Sequence, residues 1–202
     1  MITEEQRKAR KQGIGGTDAS AILGVNPYCS IMDVWLEKTG KIEPEDISAK
    51  PCVYWGNKLE SIIIDEYMKQ TGNVIMTPDI TFTHKNYPWM IGHLDGLDVN
   101  ESRILECKTA GYNARKDWGK PGTGEIPLHY AVQVQHYLAV TGNEIADIAV
   151  LIAGSDFRIY TIERDEAIIK HLIEEERKFW HEHVLRDVEP VENMKVRRRK
   201  VA

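Results

Sequence analysis

Ile91-Gly92-His93-Leu94-Asp95-Gly96-Leu97-Asp98-Val99-Asn100-Glu101-Ser102-Arg103-Ile104-Leu105-Glu106-Cys107-Lys108 reads as two strands of a β-hairpin. With Asn100-Glu101 as a two-residue turn, Val99 meets Ser102, Leu97 meets Ile104 and Asp95 meets Glu106. Side chains alternate faces along a strand, so Ile104, Glu106 and Lys108 point one way, as do Asp95, Leu97 and Val99. The two carboxylates then become neighbours with Lys108 beside them. Opposed side chains lie about 5 Å apart, and like charges there destabilise a sheet unless something offsets them. A hard divalent cation would do so. Asn-Glu is a poorer turn than Asn-Gly, and a four-residue loop would set Asp95 against Lys108 instead. The hairpin would then be a solvated surface ribbon with an ordinary ion pair.

Outward from the hairpin, residues 111 to 126 are rich in glycine and polar side chains and read as a loop. A helix over about 127 to 141 leads to strands near 145 to 153 and 157 to 163. Residues 164 to 187 form an amphipathic helix with Ile168, Ile169, Leu172, Ile173, Phe179, Trp180 and Val184 on its core stripe. Upstream, a short polar helix over about 3 to 12 precedes Gly13-Ile14-Gly15-Gly16 and a helix start capped by Thr17 or Asp18. Ser30 and Asp33 make a capping pair, and Gly40 ends that helix. A longer helix covers about 52 to 71, with Trp55, Leu59, Ile62, Ile63 and Tyr67 on one stripe and Gly72 as its stop. Strands are expected at about 73 to 83, 89 to 99 and 102 to 109. This order predicts an α/β fold, a central mixed β-sheet flanked by helices. One domain over 1–187 is expected, with a basic C-terminal tail at 188–202.

The 202 residues allow one good core and disfavour two domains. With 42% hydrophobic and 28% charged residues, the balance is that of an ordinary globular chain. No apolar run approaches the roughly 20 residues that span a bilayer, and the charged N-terminus lacks a signal-peptide core. A cytoplasmic location without membrane contact is the expectation. Cys29, Cys52 and Cys107 fit no CxxC pattern, and His181 and His183 diverge on a helix, which argues against zinc. A net charge of -5 argues against coating nucleic acid through bulk charge, but basic residues cluster at Arg7 to Lys11, Arg115 to Lys120 and Arg197 to Lys200. The last of these reads as a solvated tail.

Asp95, ten residues, then Glu106-Cys107-Lys108 resembles the Asp…(Asp/Glu)-x-Lys signature of the restriction-endonuclease-like nucleases. Four flanking motifs extend the match: Gly13-Ile14-Gly15-Gly16-Thr17-Asp18-Ala19, Trp55-Gly56-Asn57-Lys58-Leu59-Glu60, Gly92-His93-Leu94-Asp95-Gly96 and Ala131-Val132-Gln133-Val134-Gln135-His136-Tyr137. Their order resembles the YqaJ-like viral recombinase family, to which the phage lambda exonuclease is related, over roughly residues 7 to 183. Leu94 stands where superfamily members often carry proline. The resemblance implies a restriction-endonuclease-like core and a Mg2+-dependent deoxyribonuclease, with Mn2+ as a substitute. Such an enzyme resects linear duplex DNA from 5' to 3' for single-strand annealing. It also implies a homo-oligomer, a trimer by analogy, and a single-strand annealing protein as partner.

On this resemblance Asp95, Glu106 and Glu60 supply metal oxygens together with the Cys107 carbonyl, which suits a hard ion. Lys108 orients the attacking water and stabilises developing charge. Gln133, rather than Gln135, sits near that water. Thr17 and Asp18 border the cleft at a helix start, where a phosphate could bind. Arg10 or Lys11 would meet a terminal 5' phosphate, and the loop with Arg115, Lys116, Trp118 and Lys120 carries a strand-gripping mixture of charge and aromatics. Two alternatives stand beside the exonuclease: an endonuclease or nickase of the same superfamily, and a catalytically silent DNA-binding module.

Overall fold

The computed structural model describes residues 4–100 and 103–191. Its helices are α1 (Glu4–Lys11), α2 (Gly16–Ile22), α3 (Ile31–Lys38), α4 (Pro51–Thr71), α5 (Leu128–Thr141) and α6 (Glu166–Lys178). Its strands are β1 (Ile75–Met76), β2 (Phe82–Thr83), β3 (Ile91–Gly92), β4 (Gly96–Asp98), β5 (Arg103–Ala110), β6 (Ile145–Ile152) and β7 (Asp156–Glu163). Five strands form one sheet in the order β1-β4-β5-β6-β7, while β2 and β3 make a separate ribbon. Only β5 and β6 run parallel; the other neighbours in that sheet are antiparallel. A parallel pair needs a crossover, and α5 is that connection. The sheet is therefore mixed and flanked by helices, as the order of elements implies.

The helices cover both faces. On one, Val134, Tyr137 and Leu138 of α5 pack with Ile104, Ile148 and Val150. On the other, Ile63, Ile64 and Tyr67 of α4 pack with Leu105 and Ala149. Strand β5 thus turns Ile104 toward α5 and Leu105 toward α4, which explains why the central strands are apolar on both sides. Asp147, 2% exposed, ties the layers: it accepts hydrogen bonds from Tyr67 Oη at 2.6 Å, Arg103 Nη1 at 2.9 Å and Thr161 Oγ1 at 2.7 Å.

Local signals set most element ends. The Ser30 hydroxyl accepts from the Asp33 N–H at 3.2 Å and the Asp33 carboxylate accepts from the Ser30 N–H at 2.9 Å. Gly72 closes α4 at φ 77°, a conformation that disfavours a Cβ. Other expectations need correction. Helix α2 begins at Gly16 with Gly15 as its cap, not at Thr17 or Asp18. The apolar stripe of α4 is rotated from the expected one, because Ile63, Ile64 and Tyr67 face the sheet while Trp55 and Ile62 are 59% and 56% exposed. Ile168 is likewise exposed on α6. That helix ends at Lys178 and continues as a wider π turn over Phe179–Val184, whose Phe179 docks among Ile14, Ala21, Val34 and Trp35. The expected strands at 73 to 83 and 89 to 99 are each broken into two short pieces. Chain packing extends past 187, since Pro190 is buried. Glu101 of the expected turn and Ser102 after it, the Arg7 side chain and the basic run Arg197 to Lys200 lie outside the described residues.

Candidate active site

The register of β4 against β5 decides the geometry. Gly96 pairs with Leu105 and Leu97 with Ile104, the register that puts Asp95 opposite Glu106. Strand β4 stops at Gly96, so Asp95 stands where the two strands part. There its Oδ2 accepts the Cys107 N–H at 2.8 Å, the place a β4 carbonyl would hold had the ladder continued. The carboxylate is fixed by the backbone of the very strand that carries Glu106.

Glu106 is 2% exposed and faces α5. Its Oε1 accepts from Gln133 Nε2 at 2.7 Å and pairs with the Lys108 ammonium, whereas Oε2 is enclosed with no hydrogen-bond partner. A buried, unsatisfied carboxylate oxygen is costly, and its presence calls for a ligand. Burial and the neighbouring Asp95 charge push the Glu106 carboxyl up to about 7, despite Lys108. Burial also raises Asp95, against the pull of Lys108 and the Cys107 N–H. For Lys108 burial works against the charge, but Glu106 and Asp95 outweigh it and hold the ammonium above its ordinary range. The Lys108 Nζ also lies 4.8 Å from the centroid of Tyr130. From α4, half-buried Glu60 joins the same field: its carboxyl is raised by burial and then by Asp95, with Lys108 opposing.

Three carboxylates thus share the field of one ammonium, an excess of negative charge that favours a cation. Among the described residues no three His, Cys, Asp or Glu side chains converge closely enough to hold a metal ion as they stand. The donor set still fits a hard ion: oxygen ligands on Asp95, Glu106 and Glu60, with Glu106 Oε2 unpaired. The Cys107 thiol does not suit the role, because burial and the adjacent carboxylates push its pKa up and keep it protonated.

Gln133 is seated by α2. Its Nε2 also reaches Tyr137 Oη at 3.2 Å, and Gly16 packs flat against this part of α5. A Cβ on Gly16 would meet Gln133 Cγ at 2.7 Å, Tyr137 Cε1 at 2.9 Å and the Gln133 carbonyl at 3.1 Å. Gly16→Ala is therefore expected to destabilise the fold by about 1–3 kcal/mol and to push Gln133 off Glu106, seen as a lower melting temperature together with reduced turnover. Gln135 faces elsewhere, bonding the Glu163 carbonyl at 2.7 Å and the Asp165 N–H at 3.0 Å.

A family model described as a YqaJ-like viral recombinase domain matches residues 6–144, a span that holds Glu60, Asp95, Glu106, Lys108 and Gln133. The chain belongs to the YqaJ-like viral recombinase domain family. It is 38% identical over 187 residues to the uncharacterized protein YqaJ of Bacillus subtilis (strain 168), covering 92% of this chain and 57% of that protein. The chain thus spans little more than half the length of that relative. Its fold is similar to an alkaline exonuclease from Laribacter hongkongensis, LHK-Exo, with a TM-score of 0.71, 19% identity and coverage of 93% and 95% of the two chains. A crystal structure of that protein with dAMP matches at a TM-score of 0.72. A phage-related exonuclease of Haemophilus somnus 129PT is similar at a TM-score of 0.59 and 13% identity, covering 87% and 96%.

In this YqaJ-like domain the remaining expected residues fall into two groups. Arg10 is exposed and its charge reaches Asp95 and His93, which puts it at the rim of the site. Thr17 is exposed beside Gly16. Arg115, Lys116 and Lys120 line a shallow depression of about 930 Å³, where Arg115 pairs with Asp156 at 3.0 Å. Others are already engaged. Lys11 pairs with Glu43 at 2.8 Å. Asp18 accepts the Gly15 N–H at 3.0 Å and pairs with the enclosed Lys38 ammonium at 2.7 Å, so the Gly15 N–H is not free for a phosphate. Burial raises the Asp18 carboxyl, but Lys38 and that N–H outweigh it and hold it low. Trp118 must be corrected: it is 4% exposed, stacked between Tyr130 and Tyr160, and cannot grip a strand from the surface. Tyr130 escaped the sequence reading, although it stands three residues before Gln133 on the same face of α5.

Proposed function

We propose that this chain is a divalent-metal-dependent deoxyribonuclease that resects linear duplex DNA from 5' to 3', leaving a 3' strand for annealing. The observation that carries the reading is Glu106: a buried carboxylate opposed to Asp95, with one oxygen held by Lys108 and Gln133 and the other unpaired. Membership of the YqaJ-like family and the exonuclease-like fold support it.

Asp95 and Glu106 hold the cation, with Glu60 and the Cys107 carbonyl as further oxygen donors. Mg2+ is the expected ion and Mn2+ its substitute. When bound, the ion supplies Lewis-acid stabilisation of phosphate charge. Lys108, kept protonated by the two acids, donates to the phosphate and stabilises the charge that develops there. Gln133 holds the Glu106 carboxylate in one orientation, and Arg10 at the rim meets the terminal phosphate. Arg115, Lys116 and Lys120 attract the backbone of the strand. The domain acts within a homo-oligomer, a trimer by resemblance, alongside a single-strand annealing protein in the cytoplasm. No helix among the described residues is long and apolar enough to cross a membrane.

The test uses a duplex labelled at one 5' end and a closed circle of the same DNA, each with Mg2+. Early release of the labelled nucleotide with an intact circle is expected. Cutting of the circle would make the enzyme an endonuclease, and no hydrolysis of either would leave a DNA-binding module.

A further inference from the structure

A line of aromatic rings runs from solvent to Lys108. Tyr28 is 82% exposed, yet its loop is fixed: the Tyr28 N–H donates to Asn26 Oδ1 at 2.8 Å, and Asn26, 3% exposed, is bonded to Ser20 Oγ of α2 at 2.9 Å. The Tyr28 ring meets His129 edge-on at 6.1 Å between centroids, and His129 lies 4.0 Å from Tyr130. Tyr130 is also backed by Trp118 at 5.6 Å with an interplanar angle of 29°, and its ring carries the Lys108 ammonium. A scattered exposed tyrosine calls for no explanation. This one sits on a pinned loop at the end of a line of edge-on and tilted rings, the innermost of which touches the candidate catalytic lysine.

His129 adds a second observation. Its Nε2 is enclosed without a hydrogen-bond partner, an arrangement that burial of a polar atom disfavours. Burial and the nearby Lys108 charge hold the imidazole below its ordinary range, so the ring is neutral near pH 7. A neutral ring links Tyr28 to Tyr130 without adding to the positive charge at Lys108.

We propose that Tyr28, supported from within by His129 and Tyr130, is a base-stacking platform for a nucleotide of the strand whose phosphate reaches Lys108. This rests on the nuclease reading and specifies how the strand is held. An occupant of this line must present its reacting group to Lys108 at the inner end and a flat face to Tyr28 at the outer end. A nucleotide has both. Aromatic faces stack with every base, so the platform holds a strand without reading its sequence. Arg10 and the basic loop take the backbone, while Tyr28 takes the base.

The test is binding of a short single strand carrying 2-aminopurine next to its 5' end, followed by fluorescence quenching in EDTA so that no hydrolysis intervenes. Tyr28→Ala is expected to weaken binding about tenfold, and Tyr28→Trp to retain it. In Mg2+ the same loss should appear in kcat/KM. As an unlabelled competitor against that strand, an oligonucleotide abasic at the same position should bind the wild type only as well as the intact competitor binds Tyr28→Ala, and should bind that variant no worse than the intact one does. Equal binding by wild type and Tyr28→Ala overturns the platform, as does a full Tyr28→Ala loss on the abasic strand. Quenching of a strand that is never hydrolysed would count against the nuclease reading and for the platform.

Discussion

Lys108→Ala is expected to lower Mg2+-dependent hydrolysis by about two to three orders of magnitude while the chain still folds. The ammonium is held by Glu106 on one side and by the face of Tyr130 on the other, and its charge is secured by both acids. Such a group is placed in advance for a charge that develops at the phosphate, so its loss falls on turnover more than on substrate binding. Removal leaves Glu106 with Gln133 as its neighbour, and the carboxyl then takes a proton more readily. Circular dichroism and a melting curve check the fold, and single-turnover hydrolysis of a labelled duplex checks the rate. Turnover equal to that of the wild type would remove Lys108 from the mechanism.

The second large effect is on stability. With Glu106 near 4.5 in the unfolded chain and about 7 in the fold, the native state binds more protons than the unfolded state between those values. Stability of the protein in EDTA should therefore fall as pH rises from about 4.5 to about 7, by about 3 kcal/mol in all. The raised Asp95 carboxyl acts in the same direction. Glu106→Gln removes most of this slope, because an amide has no proton to lose. A divalent cation does the same in the wild type by binding the ionised form of the native state alone. Melting temperatures across that pH range, with and without Mn2+, give the comparison. A flat profile for the wild type in EDTA would show that Glu106 ionises in the fold as easily as in the unfolded chain.

The hairpin was legible in part: strand periodicity put Asp95, Glu106 and Lys108 on one face, but it suits a two-residue turn and a four-residue loop equally, and only the observed Leu97–Ile104 pair carries Asp95 to Glu106. The parting of the strands at Gly96 was not legible, since nothing in the alternation marks where Asp95 leaves the ladder for the Cys107 N–H. Helix spans followed from local caps such as Ser30 and Gly72, whereas rotation about the helix axis depends on the partner surface. Apolar residues nearly surround α4 in sequence, so Trp55 and Ile62 looked as suited to the core as Ile64. Trp118 shows the same limit. A glycine-rich basic loop looked solvated throughout, but its tryptophan turns in to support Tyr130, and the aromatic surface near the site belongs to Tyr28 and His129. Asp18 shows a different limit: an acid at a helix start suits a cap as well as a cleft, and the sequence does not reveal that Lys38 of another helix engages it.

Calorimetric titration of Mn2+ into the wild type and into Asp95→Asn at pH 8 tests the central claim most directly, because it asks whether the Asp95–Glu106 corner is a cation site before any DNA is added. Saturable binding by the wild type, lost or greatly weakened in the variant, is the result predicted. Equal binding by both proteins, or none by the wild type, would contradict it.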